Sequence, residues 1–315
     1  MRTRTKIVTV TGPIGVEEAG ITDAHTHVWI APVPGTQPGL LLFDLPNITA
    51  ELIDYREAGG KTLVDCQPGG CGRDSRQLVN LAHRSGVNIV ACTGFHLKKY
   101  YPSDYWLYQA EVSLDEATAY FTDEIINGLA ETREQSQPVR AGFIKVACEA
   151  RLEDTPAVLL EATALASRAT GAAIEVHTEK GAEAEKIVAR YMKHGLETSR
   201  LVICHIDKRP DFGLHCELAR AGVILEYDTF YRPKYQPEQN VWPLLERMVV
   251  EGLAERIALA TDMAEASLWT RLGGGPGQAA FTGQIMPCLQ KIGFDALTIE
   301  RLMGGNIARC LAINI

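Results

Sequence analysis

Asp23-Ala24-His25-Thr26-His27 follows the short apolar run Gly20-Ile21-Thr22. Side chains two residues apart on a strand share a face. His25 and His27 therefore point the same way and offer two imidazoles to one metal ion. A His-x-His pair alone is equally compatible with two exposed or hydrogen-bonded histidines. It gains weight because four more residues of ligand type close later apolar runs. These are Lys145 in Phe143-Ile144-Lys145-Val146, His177 after Val176, His205 after Cys204, and Asp262 after Thr261.

Strand-like runs fall at about 20–25, 61–66, 87–94, 141–146, 172–177, 201–205, 222–227 and 256–262. Helical spacing falls between them, at 49–58 (closed by Gly59-Gly60), 74–85, 113–134, 155–170, 181–194, 213–221 and 241–252, then at 278–292 and 297–312. Ser113-x-x-Glu116 forms a capping box at the head of the third helix. A short strand at 7–10 precedes the turn residues Gly12-Pro13. Eight strand–helix alternations predict an α/β fold, a (β/α)8 TIM barrel with a short N-terminal β extension, as one domain over 1–315. A doubly wound open sheet would call for a glycine fingerprint after an early strand. Gly273-Gly274-Gly275-Pro276-Gly277 instead follows the last strand and reads as a loop over the site.

In a barrel the C-terminal strand ends converge on one mouth, which would bring His25, His27, Lys145, His177, His205 and Asp262 together. Lys145 is the hardest of them to explain structurally, because an unpaired ammonium in an apolar run is costly to bury. Once deprotonated, its amine can add carbon dioxide, giving a carbamate whose two oxygens bridge two cations.

Composition bounds the partners. The charge of −8, from 31 Lys+Arg against 39 Asp+Glu, with no long basic block, argues against nucleic acid. No run approaches the ~20 apolar residues of a membrane span. No apolar signal core follows the basic Met1–Lys6 segment, so the expected location is cytoplasmic. The eight scattered cysteines read as reduced core residues. Cys66 and Cys71 flank Gln-Pro-Gly-Gly like a zinc knuckle, but no second pair matches them.

The chain resembles the phosphotriesterase-like branch of the amidohydrolase superfamily over essentially its whole length. The matching segments are Val10-Thr11-Gly12-Pro13-Ile14, the histidine pair, Gly142-Phe143-Ile144-Lys145, Val176-His177-Thr178, His205-Ile206-Asp207, Ala260-Thr261-Asp262 and Gly305-Asn306-Ile307-Ala308-Arg309. The resemblance implies two divalent cations, zinc first and manganese or cobalt as alternatives. His25, His27 and Asp262 would hold one, His177 and His205 the second, with N6-carboxylated Lys145 and a hydroxide between them. Asp262 would also move the proton from the hydroxide to the leaving alkoxide. Thr26 stands where many relatives carry Glu, at a position that is not a ligand.

The loops at 205–211, 227–235 and 274–277 are similar to those of sugar-lactonase members. Some of those members act on phosphorylated aldonolactones, and the resemblance ties Lys208 and Lys234 to the phosphate. Glu265 stands where those relatives place a phosphate-binding arginine, a charge that would repel phosphate unless Arg271, Lys98 or Lys99 compensates. His96 replaces an aromatic pocket residue, and Tyr231 completes the candidate substrate contacts. The expected activity is hydrolysis of a sugar lactone, phosphorylated or not. A carboxylesterase, a phosphotriesterase and a non-catalytic metal-containing binding protein are the alternatives. A small molecule is the expected partner, and a homodimer is admitted.

Overall fold

The computed structural model describes residues 5–34 and 36–314, so Met1–Arg4 of the basic segment, Gly35 and Ile315 lie outside the described residues. Three short strands, β1 (Thr5–Thr9), β2 (Gly12–Ile14) and β11 (Ile313–Asn314), pair antiparallel. The Val10 amide donates to Ile89 at the start of a barrel strand (2.8 Å), so this small sheet covers the floor. The N-terminal extension is thus present, but β11 had no signal in so short a segment.

The eight apolar runs form β3 (Thr22–Thr26), β4 (Thr62–Asp65), β5 (Asn88–Phe95), β6 (Phe143–Ala147), β7 (Ile174–His177), β8 (Leu201–Cys204), β9 (Ile224–Tyr227) and β10 (Ile257–Leu259). Each is hydrogen-bonded in parallel to the next in chain order. The ring closes where the Asp262 amide donates to the His25 carbonyl (2.9 Å) and the Thr261 amide and hydroxyl donate to Asp23 (3.1 and 2.6 Å). Inward side chains such as Val64, Cys66, Val90, Cys92, Phe143, Val202, Cys204 and Ala258 pack in the barrel interior. The outward faces pack on α1 (Leu45–Glu57), α2 (Ser75–Ser85), α3 (Leu114–Ile126), α4 (Ala157–Thr170), α5 (Ala184–Lys193), α6 (Phe212–Arg220), α7 (Val241–Val250) and α8 (Met286–Ile292).

Helix α1 begins four residues earlier than its spacing predicts, because Asp44 caps it by accepting from the Asn47 amide. Helix α3 stops at Ile126 rather than 134, since Gly128 takes φ +135 and turns the chain. The helix expected at 297–312 is broken into α9 (Ala296–Glu300), a wide turn at 301–305 and α10 (Asn306–Leu311). Gly304 sits there at φ +147, with its Cα so close to β3 that a Cβ would lie 2.7 Å from the Gly20 carbonyl oxygen. Among the described residues no helix is long and apolar enough to cross a membrane. The cysteines are unpaired, and Cys66 and Cys71 turn to different partners, Glu175 and the Pro68 carbonyl, so they form no knuckle.

One buried ion pair locks α3 to the barrel. The Arg73 guanidinium donates to both oxygens of Glu124 (3.0 and 2.6 Å), to Glu131 and to the Cys92 carbonyl. Burial raises the Glu124 carboxyl, but Arg73, Thr93 and the Ala130 amide outweigh it and hold it below its ordinary 4.5. Its contribution is therefore complete above that ordinary value and is lost as pH falls through the depressed one. Arg73→Met, which strands Glu124, is expected to cost about 3–5 kcal/mol, read by urea unfolding at neutral pH.

Candidate metal centre at the barrel mouth

His25 and His27 leave β3 on one face, with ring centroids 5.6 Å apart. His205 lies 4.8 Å from His25, and His177 4.7 Å from His205. Lys145, on β6, is wholly buried, and its Nζ lies 3.1 Å from His25 Nε2. Gly94 makes room beside it: a Cβ there would lie 1.8 Å from the Lys145 carbonyl oxygen. Asp262 places Oδ1 3.9 Å from His25 Nε2 and Oδ2 3.9 Å from His205 Nδ1. His205 and Asp262 both adopt left-handed backbone (φ +63 and +48), which strains a residue with a Cβ. All six residues named from the strand ends are thus brought together.

Each of three histidines has one ring nitrogen engaged from behind. His25 Nδ1 meets Glu226 Oε2 (3.2 Å), His27 Nδ1 meets Gln67 Oε1 (2.7 Å), and His205 Nδ1 meets Asp228. Nδ1 engaged in this way is the pattern of a metal-ligating histidine, with Nε2 as the remaining donor; that of His25 meets Lys145 Nζ. His177 differs, because its Nε2 meets Glu179 (3.2 Å). Burial, aided by neighbouring cations, keeps His25 and His205 well below the usual imidazole range and pushes His27 down to about 4. They are neutral, as ligation requires. Burial also pushes up the Glu175 carboxyl, to about 8, and that of Glu226. The donor atoms of His25, His205 and Asp262 lie close enough together to hold an ion. The chemistry of this donor set, imidazole nitrogens, a carboxylate and a buried amine, fits metal binding.

A basic edge adjoins Asp262. Lys208 Nζ lies 3.5 Å from Asp228 and 3.6 Å from Asp262. Arg232 donates to the Asp262 carbonyl (2.5 Å) and lies 3.3 Å from its Oδ2. Burial raises the Asp262 carboxyl, but His205, Lys208 and Arg232 outweigh it and hold it below the ordinary aspartate value. His96 stands 6.4 Å from His27 and 5.7 Å from His177, and lines a recess with His27, Gln67, Cys71 and Tyr100. The Leu97 amide donates to its Nδ1 (2.7 Å), so Nε2 carries the proton.

The remaining candidates stand apart from this cluster. Arg271 is exposed and paired bidentately with Asp54 of α1 (2.7 Å each), so its charge is already matched there. Tyr231 donates its hydroxyl to the Ala280 carbonyl (2.7 Å). Lys98 is exposed beside a separate recess with Tyr108 and Glu149. Lys234 is exposed over the Tyr235 ring (5.1 Å), the same ring that Lys208 overlies at 5.8 Å. The glycine loop at 273–277 folds back on Ser267 and Leu268 through amide hydrogen bonds of 3.0 and 2.9 Å.

The profile of the phosphotriesterase family matches residues 5–311. The chain belongs to that family. Among relatives it is similar to a phospho-furanose lactonase of Mycoplasmopsis synoviae, 28% identical with 97% of this chain and 91% of that protein covered. It is similar also to an N-acetyltaurine hydrolase of Salmo salar, 27% identical over 97% of each. Of solved structures, a lactonase from Listeria monocytogenes superimposes with a TM-score of 0.88, at 25% identity over 97% of this chain and 98% of that one. As its match to the family and to lactonases supports, the protein is an enzyme that cleaves ester bonds.

The groups around the four histidines and Lys145, namely Gln67, Glu175, Glu226 and Asp228, and Arg232 beside Asp262 were not singled out from the sequence. A signal existed for three of them. Glu175 lies two residues before His177, and Glu226 and Asp228 sit at i and i+2 around an apolar strand, the anomaly that made Lys145 conspicuous.

Proposed function

We propose that the enzyme opens a sugar lactone, an aldonolactone with or without a phosphate, by two-metal hydrolysis. His25, His27 and Asp262 would hold one divalent cation and His177 and His205 the other. Zinc suits imidazole and carboxylate donors, with manganese or cobalt as substitutes. Lys145, carboxylated on Nζ, would lie between them. The observation that carries the reading is Lys145 itself. It is a fully buried amine against His25 Nε2, with no ion-pair partner among the described residues. As an ammonium it is costly there, whereas as a carbamate it supplies the anion that two cations need.

When bound, such a metal pair polarises the ester carbonyl and lowers the pKa of water toward neutrality. Asp262 accepts the proton of the attacking water and delivers it to the leaving alkoxide. Lys208 and Arg232 keep Asp262 anionic until then. His96 offers Nε2–H to a hydroxyl of the sugar. Lys208 and Arg232 are matched by Asp228, Asp262 and Glu265, so Lys234, which shares the Tyr235 ring with Lys208, would be the cation to meet a substrate phosphate. Glu265 does not oppose this, because its carboxylate is paired with Arg232 (3.2 Å). The phospho-furanose lactonase among the relatives supports the same substrate class.

The test is a panel of aldonolactones, with and without a terminal phosphate, alongside an aryl phosphotriester and a simple carboxylic ester. Metal-loaded protein is expected to turn over lactones first. Turnover of the phosphotriester or ester with no lactone would reassign the substrate class. Lactone binding without turnover by protein that holds its metals would make it a binding protein. Chelation is expected to abolish turnover and lower the unfolding free energy by ~2.7 kcal/mol for each metal site, relative to protein kept at a hundred times the metal Kd of that site, with both restored by zinc.

A further inference from the structure

His25 and His205, which face each other across the mouth, are backed by one strand. Glu226 of β9 and Asp228, two residues on, share the inward face of the barrel. Asp228 takes His205 Nδ1. Both Glu226 oxygens lie against His25 Nδ1, Oε2 at 3.2 Å and Oε1 at 3.1 Å, and Oε1 also stands 3.9 Å from His205 Nδ1, the nitrogen that Asp228 takes. The Glu226 side chain is wholly buried, and among the described residues Oε1 makes no hydrogen bond. Besides His25, the donor atoms of Glu175 and Cys204 lie within 4.8 Å of its own, and Lys145 is the cation that favours its charge. A polar group retained at such cost is accounted for by what it holds in place.

We propose that Glu226 is a positioning residue shared by the two cation positions, an inference that rests on the two-metal reading. As acceptor for His25 Nδ1–H it sets the tautomer and keeps Nε2 facing Lys145. Its Oε1 stands beneath His205, 3.9 Å from the Nδ1 that Asp228 holds, so removing the side chain also opens the support under that ring. Loss of this one side chain therefore weakens metal binding at both positions, whereas loss of Gln67, which touches His27 alone among the histidines, weakens one.

Zinc affinity is measured by competition with a chelator for the wild type, Glu226→Leu, Glu226→Gln and Gln67→Leu. Urea unfolding of each chelator-treated protein is measured in parallel. Glu226→Leu is expected to bind both zinc equivalents about 10–100-fold more weakly. Glu226→Gln keeps an oxygen acceptor and is expected to stay within about threefold of wild type. Chelated Glu226→Leu is expected to unfold at the same or higher urea concentration as wild type, because an apolar side chain has replaced a buried acid. Gln67→Leu is expected to weaken one equivalent only. Wild-type affinity in Glu226→Leu overturns the proposal. So does a loss of affinity matched by a fall in the stability of the chelated protein, which marks a packing role. A wild type that binds two ions with Glu226→Leu unaffected removes this inference alone. A wild type that binds no divalent cation removes the two-metal reading with it.

Discussion

Asp262→Asn is expected to lower kcat on the lactone by about 10²–10⁴-fold with both zinc equivalents still bound. Asparagine keeps an oxygen able to ligate, but its amide cannot accept a proton from attacking water or return it to the leaving group. The aspartate is well prepared for that work. Its backbone is held at φ +48 by the barrel-closing hydrogen bond to His25, and Lys208 and Arg232 flank its carboxylate. KM should change much less than kcat, because the proton transfer is made only in the transition state. The measurements are steady-state kinetics and metal analysis on the same preparation. Wild-type kcat in the asparagine variant would remove Asp262 from the proton path.

Lys145→Met is expected to cost more, at least about 10³-fold in kcat/KM, or about 4 kcal/mol of transition-state stabilisation. Methionine fills nearly the same volume but cannot form a carbamate, so bound metal should also fall below two equivalents. The fold should tolerate the change. The lysine amine is buried and has no ion-pair partner among the described residues; burial works against its charge, but Cys66, Cys204, Glu226 and Glu175 around it outweigh burial and hold it above the ordinary lysine value. An apolar replacement is then expected to leave chelator-treated protein as stable as wild type, or more so by about 1–4 kcal/mol. Urea unfolding separates the two effects, since lost metal with retained stability marks a ligand and lost stability marks a packing residue. Mass spectrometry of the intact wild type under mild conditions should add the mass of one carbon dioxide, absent from Lys145→Met.

The barrel was legible because its signal is repeated. Eight apolar runs separated by helical spacing each carry little information alone, but together they leave few arrangements. The site was legible for the same reason, as ligand-type residues recur at the ends of those runs. Element ends were less so. Helix α3 stops at Ile126 because Gly128 adopts φ +135, and the last helix breaks where Gly304 meets β3. A glycine in sequence does not state which conformation the chain demands of it.

The basic loop residues show the boundary most clearly. Lys208, Lys234, Lys98 and Arg271 are alike as charges in a sequence, but Lys208 lies against Asp262 while Arg271 is held by Asp54. Arg232, which was not picked out, reaches the same aspartate.

By itself the sequence determined the order of barrel strands and the identity of the six residues at their ends, because side-chain alternation along a strand is a local property. Only the tertiary structure decided what stands behind each of them. Glu226 supports His25 from 201 positions along the chain, and partners so distant are chosen by the closure of the barrel, which no local pattern of residues records.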